Sequence, residues 1–113
     1  MAHYHDLLDE LAPPARELRS AIPDVFSGYA EMARGAMGEG ALDAKTKELI
    51  ALAIGITREC DGCIAAHARG AARRGATTAE VAEMIGVAIL LNGGPGMTWG
   101  PRALAAFAEF SAG

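Results

Sequence analysis

The stretch LDAKTKELIALAIGITREC, Leu42 to Cys60, decides the fold. Asp43 is placed to cap a helix, and from Leu49 to Ile56 no charge interrupts it. A helix apolar on every side is expected to be buried on every side, so this segment should be the central element of the domain. It falls short of the ~20 apolar residues that a membrane span needs, and it opens with Lys45, Lys47 and Glu48.

The surrounding chain carries the same helical period and no alternating strand pattern. Upstream, HDLLDELAPPARELRSAI reads as one interrupted helix, or two short ones, broken at Pro13-Pro14. IPDVFSGYAEMARGAMG follows, with Asp24 as its expected N-cap and Gly35 and Gly38 marking its end. Its Val25, Phe26, Tyr29, Met32 and Ala33 fall along one stripe. Downstream, a helix should run from near Cys60 to about Arg74, where Gly75 stops it. Thr77 and Glu80 have the spacing of a capping box for the next helix. GGPG breaks the chain, and MTWGPRALAAFAEF supplies the last helix. The reading is an all-α, compact bundle of about six helices, with residues 1–113 forming one domain.

Composition agrees. Of 113 residues, 51% are hydrophobic and only 5% aromatic, and alanine is the commonest residue. Such chains favour close-packed helices over sheets. The apolar share slightly exceeds that of an average domain, so some helix faces should be buried between subunits. The formal charge of −4, without a useful Lys/Arg run, argues against nucleic-acid or anionic-membrane partners. Arg69, Arg73 and Arg74 sit late in a predicted helix, where cations complement the dipole. The N-terminal stretch has acids where a secretory signal needs bases, so a cytoplasmic location is expected. In such a reducing compartment a cysteine pair is more suited to catalysis or metal binding than to stapling.

That pair lies in RECDGCIAAHARG, Arg58 to Gly70. On a helix, Cys63 falls roughly 60° from Cys60 around the axis, and His67 within about 20° of Cys60. An i, i+3 pair also brings the Cα atoms to about 5 Å, within reach of a disulfide. Closing so small a ring stabilises the fold by at most roughly 2 kcal/mol, so a reversible bond here suits chemistry better than architecture. A thiol reacts as its thiolate. The helix N-terminus favours an anion near Cys60, while His67, one turn beyond Cys63, can take up its proton.

Glu48 completes the constellation. On one continuous helix it would sit about 120° from Cys60 and miss the site. In an antiparallel hairpin, residues equidistant from the turn lie at one height, and the midpoint between Glu48 and His67 falls between Thr57 and Arg58. Glu48 is therefore expected beside His67, raising imidazole basicity and fixing its tautomer. Leu49, Leu52 and Ile64 are expected to line the adjoining pocket. Trp99 is expected to anchor packing, in the core or at a subunit contact. His3 and His5 are expected to be part of a mobile N-terminus rather than ligands.

The pattern E(48)-x11-C(60)-x2-C(63)-x3-H(67), in the context LIALAIGITRECDGCIAAHARGAARRGAT, resembles the AhpD-like alkyl hydroperoxidase branch of the carboxymuconolactone decarboxylase family. The likeness covers roughly residues 40 to 90. It implies an all-helical fold assembled as trimers or hexamers. It also implies a thiol peroxidase that reduces organic hydroperoxides through a CxxC disulfide, re-reduced by a dithiol donor and needing no cofactor. Glu48 and His67 map onto the family's proton relay, and Cys60 and Cys63 onto its redox pair. Full-length alkyl hydroperoxidases are longer and carry a histidine where this chain has Gly62. The decarboxylase branch typically lacks the cysteine pair.

Within the peroxidase reading, Cys63 attacks the peroxide, and Cys60 resolves the sulfenic acid and faces the reductant. Other readings stand beside it. Cys60, Cys63, His67 and Glu48 could form a tetrahedral zinc set, although three ligands on one helix crowd the geometry. The chain could be a non-catalytic oligomeric module whose disulfide reports redox state, or an enzyme of the lactone-decarboxylating type.

Overall fold

Asp43 caps the central helix as its position suggests, its side chain accepting the Thr46 N–H at 2.7 Å. The computed structural model describes residues 3–112, and all its regular structure is helical. The elements are α1 (His3–Ala21), α2 (Pro23–Met37), α3 (Ala44–Thr57), α4 (Asp61–Arg73), α5 (Thr78–Asn92) and α6 (Gly94–Ser111). Helices α3 and α4 form one antiparallel hairpin and α5 and α6 another, with α4 packed against α1, α3 and α6.

The core is made of Leu52 and Ile56 of α3, Ile64, Ala65, Ala68 and Ala71 of α4, Val81 and Ile85 of α5, and Ala103, Ala106 and Phe107 of α6. The alanines let helix backbones approach closely around a few larger side chains. Gly96 shows how close: a Cβ there would lie 3.0 Å from the Ile89 Cα, backbone that cannot swing aside. Thr77 and Glu80 form both halves of the capping box. A Lys45–Glu80 ion pair at 2.8 Å then ties α3 to the start of α5.

Both ends of the α3–α4 hairpin use the same helix-stopping motif. After α4, Ala76 N–H donates to Ala71 O and Gly75 N–H to Ala72 O, with Gly75 at φ 82°. After α3, Cys60 N–H donates to Gly55 O and Glu59 N–H to Ile56 O, with Glu59 at φ 52°. This is the six-to-one and five-to-two pairing that closes helices, normally around a glycine. At the second site a glutamate occupies the left-handed position, the only described non-glycine residue at positive φ.

Several expectations are corrected. The Pro13-Pro14 pair does not break α1, which runs continuously through it. Asp9, Glu10 and the residues after Pro13 are exposed, so carbonyls deprived of their amide donors can turn to water. Asp24 does not cap α2; Ile22 holds the cap position and Pro23 opens the helix, leaving Asp24 to complement the dipole in its first turn. Gly35 lies inside α2, which ends at Gly38. The last helix begins at Gly94, before Met97, because Pro95 suits a first turn. Helix α3 is buried on one side only: Leu52 and Ile56 face the core, while Ile50 and Ile54 are exposed, Ile54 at 56%.

The N-terminal segment is docked rather than loose. Glu109 of α6 accepts the backbone N–H groups of Tyr4 at 3.0 Å and His5 at 3.2 Å, capping α1 from another helix. The His5 ring adds a contact to the same carboxylate at 3.3 Å and packs on Phe110 at 4.2 Å between centroids. His3 stacks edge-on against Tyr4, which is buried. Burial of Glu109 opposes its charge, but the hydrogen bonds from Tyr4 and His5 prevail and hold its carboxyl below the usual carboxylate range.

Candidate active site

The turn around Glu59 delivers Cys60 as the N-cap of α4, just outside the helix rather than within it. Its sulfur accepts the Cys63 N–H at 3.1 Å, so one of the two cysteines sits among the amides of the helix N-terminus. Cys60 and Cys63 are joined in a disulfide with Cα atoms 5.2 Å apart. Cys60, expected to be the sulfur that faces the reductant, is half-buried, whereas Cys63 is exposed. The cap position explains this, because it folds the Cys60 side chain back over the first turn.

His67 stands one turn beyond Cys63 on the same helix. Its Nδ1 lies 2.8 Å from Glu48 Oε1, which comes from the opposing helix of the hairpin. The hairpin register brings together what 19 residues of sequence separate. The carboxylate is the more enclosed partner, its side chain 16% exposed against 33% for the imidazole. An ionised carboxylate can only accept, so Nδ1 donates, and in the neutral form of the ring Nε2 is then the proton acceptor.

Sequence reasoning missed the residue that makes room for this pair. A Cβ at Gly70 would overlap all three atoms of the Glu48 carboxylate. Gly70 lies one turn beyond His67, on the same face, and its bare backbone is the surface on which the carboxylate rests. The available signal was a glycine in mid-helix, where it costs about 1 kcal/mol relative to alanine.

Beside the pair opens a cleft of about 320 Å³ lined by Glu48, Ala66, His67, Arg69, Gly70, Arg73 and Arg74. It is polar and basic, not the apolar pocket expected of Leu49, Leu52 and Ile64. Leu52 and Ile64 are fully buried in the core. Leu49 instead borders a groove with Thr46, Ile50, Ala53, Met84 and Val87 on the far side of α3.

A second polar group flanks the cysteine loop. Asp61, between Cys60 and Gly62, buries Oδ1 without a hydrogen-bond partner among the described residues, with Arg102 Nη1 3.9 Å away. Arg102 lies over the Trp99 ring at 4.6 Å, which places that tryptophan against the edge of the core. Burial and the negative charge of Asp61 together push the Tyr4 hydroxyl pKa upward. Among the described residues, no three His, Cys, Asp or Glu side chains converge in a way that could hold a metal ion. The Glu48, Cys60, Cys63 and His67 side chains are arranged as two bonded pairs, one disulfide and one hydrogen-bonded couple.

A family model described as the carboxymuconolactone decarboxylase family matches residues 23–109. An uncharacterized protein of Haemophilus influenzae is 50% identical over 91 residues, covering 80% of each chain. An uncharacterized protein of Cupriavidus necator is 36% identical over 95 residues, covering 84% of each. The apo crystal structure of a carboxymuconolactone decarboxylase family protein from Legionella pneumophila superposes with a TM-score of 0.96 at 34% identity, over 98% of this chain and 99% of that one. A Thermotoga maritima crystal structure gives 0.73 at 26% identity, over 86% and 91% of the two chains. In sequence and in fold alike, this chain belongs to the carboxymuconolactone decarboxylase family.

Proposed function

We propose that the protein is a thiol peroxidase of the AhpD-like branch of its family, reducing an organic hydroperoxide at Cys60 and Cys63. The observation that supports this most is the disulfide held one turn from an imidazole that is itself oriented by a carboxylate. In the reduced protein, His67 Nε2 draws the proton from Cys63, directly or through water, and the Cys63 thiolate attacks the distal peroxide oxygen. The O–O bond breaks, the alcohol leaves with a proton, and Cys63 becomes a sulfenic acid. The Cys60 sulfur then attacks Cys63, water departs, and the disulfide closes. Two thiols and one hydroperoxide give one disulfide, one alcohol and one water.

Regeneration requires an external dithiol. Its thiolate reaches the exposed Cys63 sulfur first, and Cys60 leaves as a thiolate into the amide-rich start of α4. The exposure of Cys63 thus revises the sequence expectation that Cys60 meets the reductant. Such a cycle fits a reducing compartment such as the cytoplasm. The direct test is hydroperoxide consumption by wild type and by Cys60→Ser and Cys63→Ser variants in the presence of a small dithiol.

The same reading includes self-association into a trimer or hexamer. Val25, Tyr29 and Met32 on α2, Ile50 and Ile54 on α3, and Val87, Leu90 and Leu91 on α5 are exposed, the last two at 80%. Apolar exposure on this scale supports that reading.

A further inference from the structure

The cleft beside the Glu48–His67 pair has an unbalanced charge. Arg69, Arg73 and Arg74 all line it, and among the described residues none of the three forms a salt bridge. This is unexpected in a chain with 14 Asp and Glu against 10 Lys and Arg. Among the described residues the only carboxylate lining the cleft is Glu48, and it is held by His67. Complementing the helix dipole accounts for Arg73 and Arg74, which end α4. It does not account for Arg69, a full turn earlier, or for all three bordering one concavity that ends at the reactive histidine.

We infer that this cleft binds the anionic group of the compound that reacts at the site, and that the group is a carboxylate. Guanidinium groups suit this task because they present paired donors in the plane of a carboxylate and stay charged at every physiological pH. Resting on the peroxidase reading, this makes the substrate a carboxylate-bearing organic hydroperoxide rather than a neutral alkyl one. The helix sets the spacing. Ten or eleven residues separate Cys63, the attacking sulfur, from Arg73 and Arg74, about 15 Å along the axis, with His67 between them. The anion is thus seated at one end of a spacer of roughly that length, and the reacting group passes His67 to reach Cys63 at the other.

The test is a binding titration that needs no turnover, so it stands whether or not the peroxidase reading does. Octanoate and its neutral counterpart octanamide are titrated into the full-length protein, following the amide resonances of His67 and Gly70. Octanoate is expected to give saturable shifts with affinity at least tenfold above octanamide. Arg69→Gln, Arg73→Gln and Arg74→Gln should each weaken it about threefold to fivefold, as should added salt. These side chains are at least partly exposed, so the variants should fold, which an unchanged spectrum away from the cleft will verify. Equal affinity for octanamide, or octanoate binding that ignores the arginines, would overturn the proposal, as would no saturable shift. Inorganic phosphate is the second arm. Weak phosphate competition supports a carboxylate, whereas phosphate displacing octanoate at lower concentration than acetate does would overturn that assignment in favour of a phosphorylated compound.

Discussion

Glu48 Oε1 lies 2.8 Å from His67 Nδ1, across the α3–α4 hairpin and in space that only a glycine at position 70 leaves open. The relationship separates two properties that usually move together. Alanine is the better helix former by about 1 kcal/mol, so Gly70→Ala should leave thermal stability unchanged or raise it, because the flexible glutamate can swing away. The same change should displace the carboxylate from His67. In the reduced protein, thiol alkylation at neutral pH should slow about fivefold or more, and the downfield Nδ1–H proton resonance of His67 should disappear. Placing Gly70→Ala in a Glu48→Ala background should add no further loss of reactivity. An undiminished alkylation rate in the single variant would mean that the couple does not activate the thiol.

The turn that presents Cys60 stores strain at Glu59, which adopts φ 52°. A non-glycine residue in this region pays roughly 1 kcal/mol or more in steric cost. Glu59→Gly should therefore stabilise the fold by about 1 kcal/mol in chemical denaturation, offset in part by the greater freedom of glycine in the unfolded chain. Unchanged or lower stability would show that the glutamate side chain contributes more than its backbone costs.

Acid should loosen the N-terminal helix. Glu109 is held below its usual value of 4.5 because hydrogen bonds from Tyr4 and His5 outweigh burial. A depressed carboxylate contributes stability above its unfolded pKa and loses that contribution as pH falls through the folded one. The change should thus begin below about pH 4.5, the unfolded reference, and show as rising amide exchange in the first turns of α1. Two other carboxylates have depressed values: Asp43 through the Thr46 N–H, and Glu80 mainly through Lys45. Glu109→Gln should make the N-terminal effect appear at neutral pH and flatten its acid dependence. Persistent protection of α1 in that variant would refute the capping role.

The large part of the fold was legible because it is local. Asp43, the Thr77–Glu80 box and Gly75 are helix signals that act within a turn, and the register of Glu48 with His67 follows from counting residues across one hairpin. What was not legible depends on what faces each element. Prolines 13 and 14 are tolerated because the surface around them is wet. From Leu49 to Ile56 helix α3 carries no charge on any side, but only one side of that stretch is buried by its own chain. Gly70 and the arginine cleft become visible only when a carboxylate from another helix, or a concavity, gives them a neighbour.

The uncovered apolar faces make their own prediction. Replacing Leu90 and Leu91, both 80% exposed, by glutamate should leave helical content intact while reducing the mass seen by light scattering. Wild type should be larger than a single 11.7 kDa chain. A monomeric wild type at micromolar concentration would remove the self-association reading.

The most direct measurement is stopped-flow consumption of an organic hydroperoxide by the fully reduced protein, with mass spectrometry of the product. One equivalent should be consumed per chain in the absence of a reductant, leaving a Cys60–Cys63 bridge. Cys63→Ser should abolish the reaction, and Cys60→Ser should stop at a sulfenic acid on Cys63. No hydroperoxide loss above the rate of the Cys60→Ser/Cys63→Ser double variant would contradict the account.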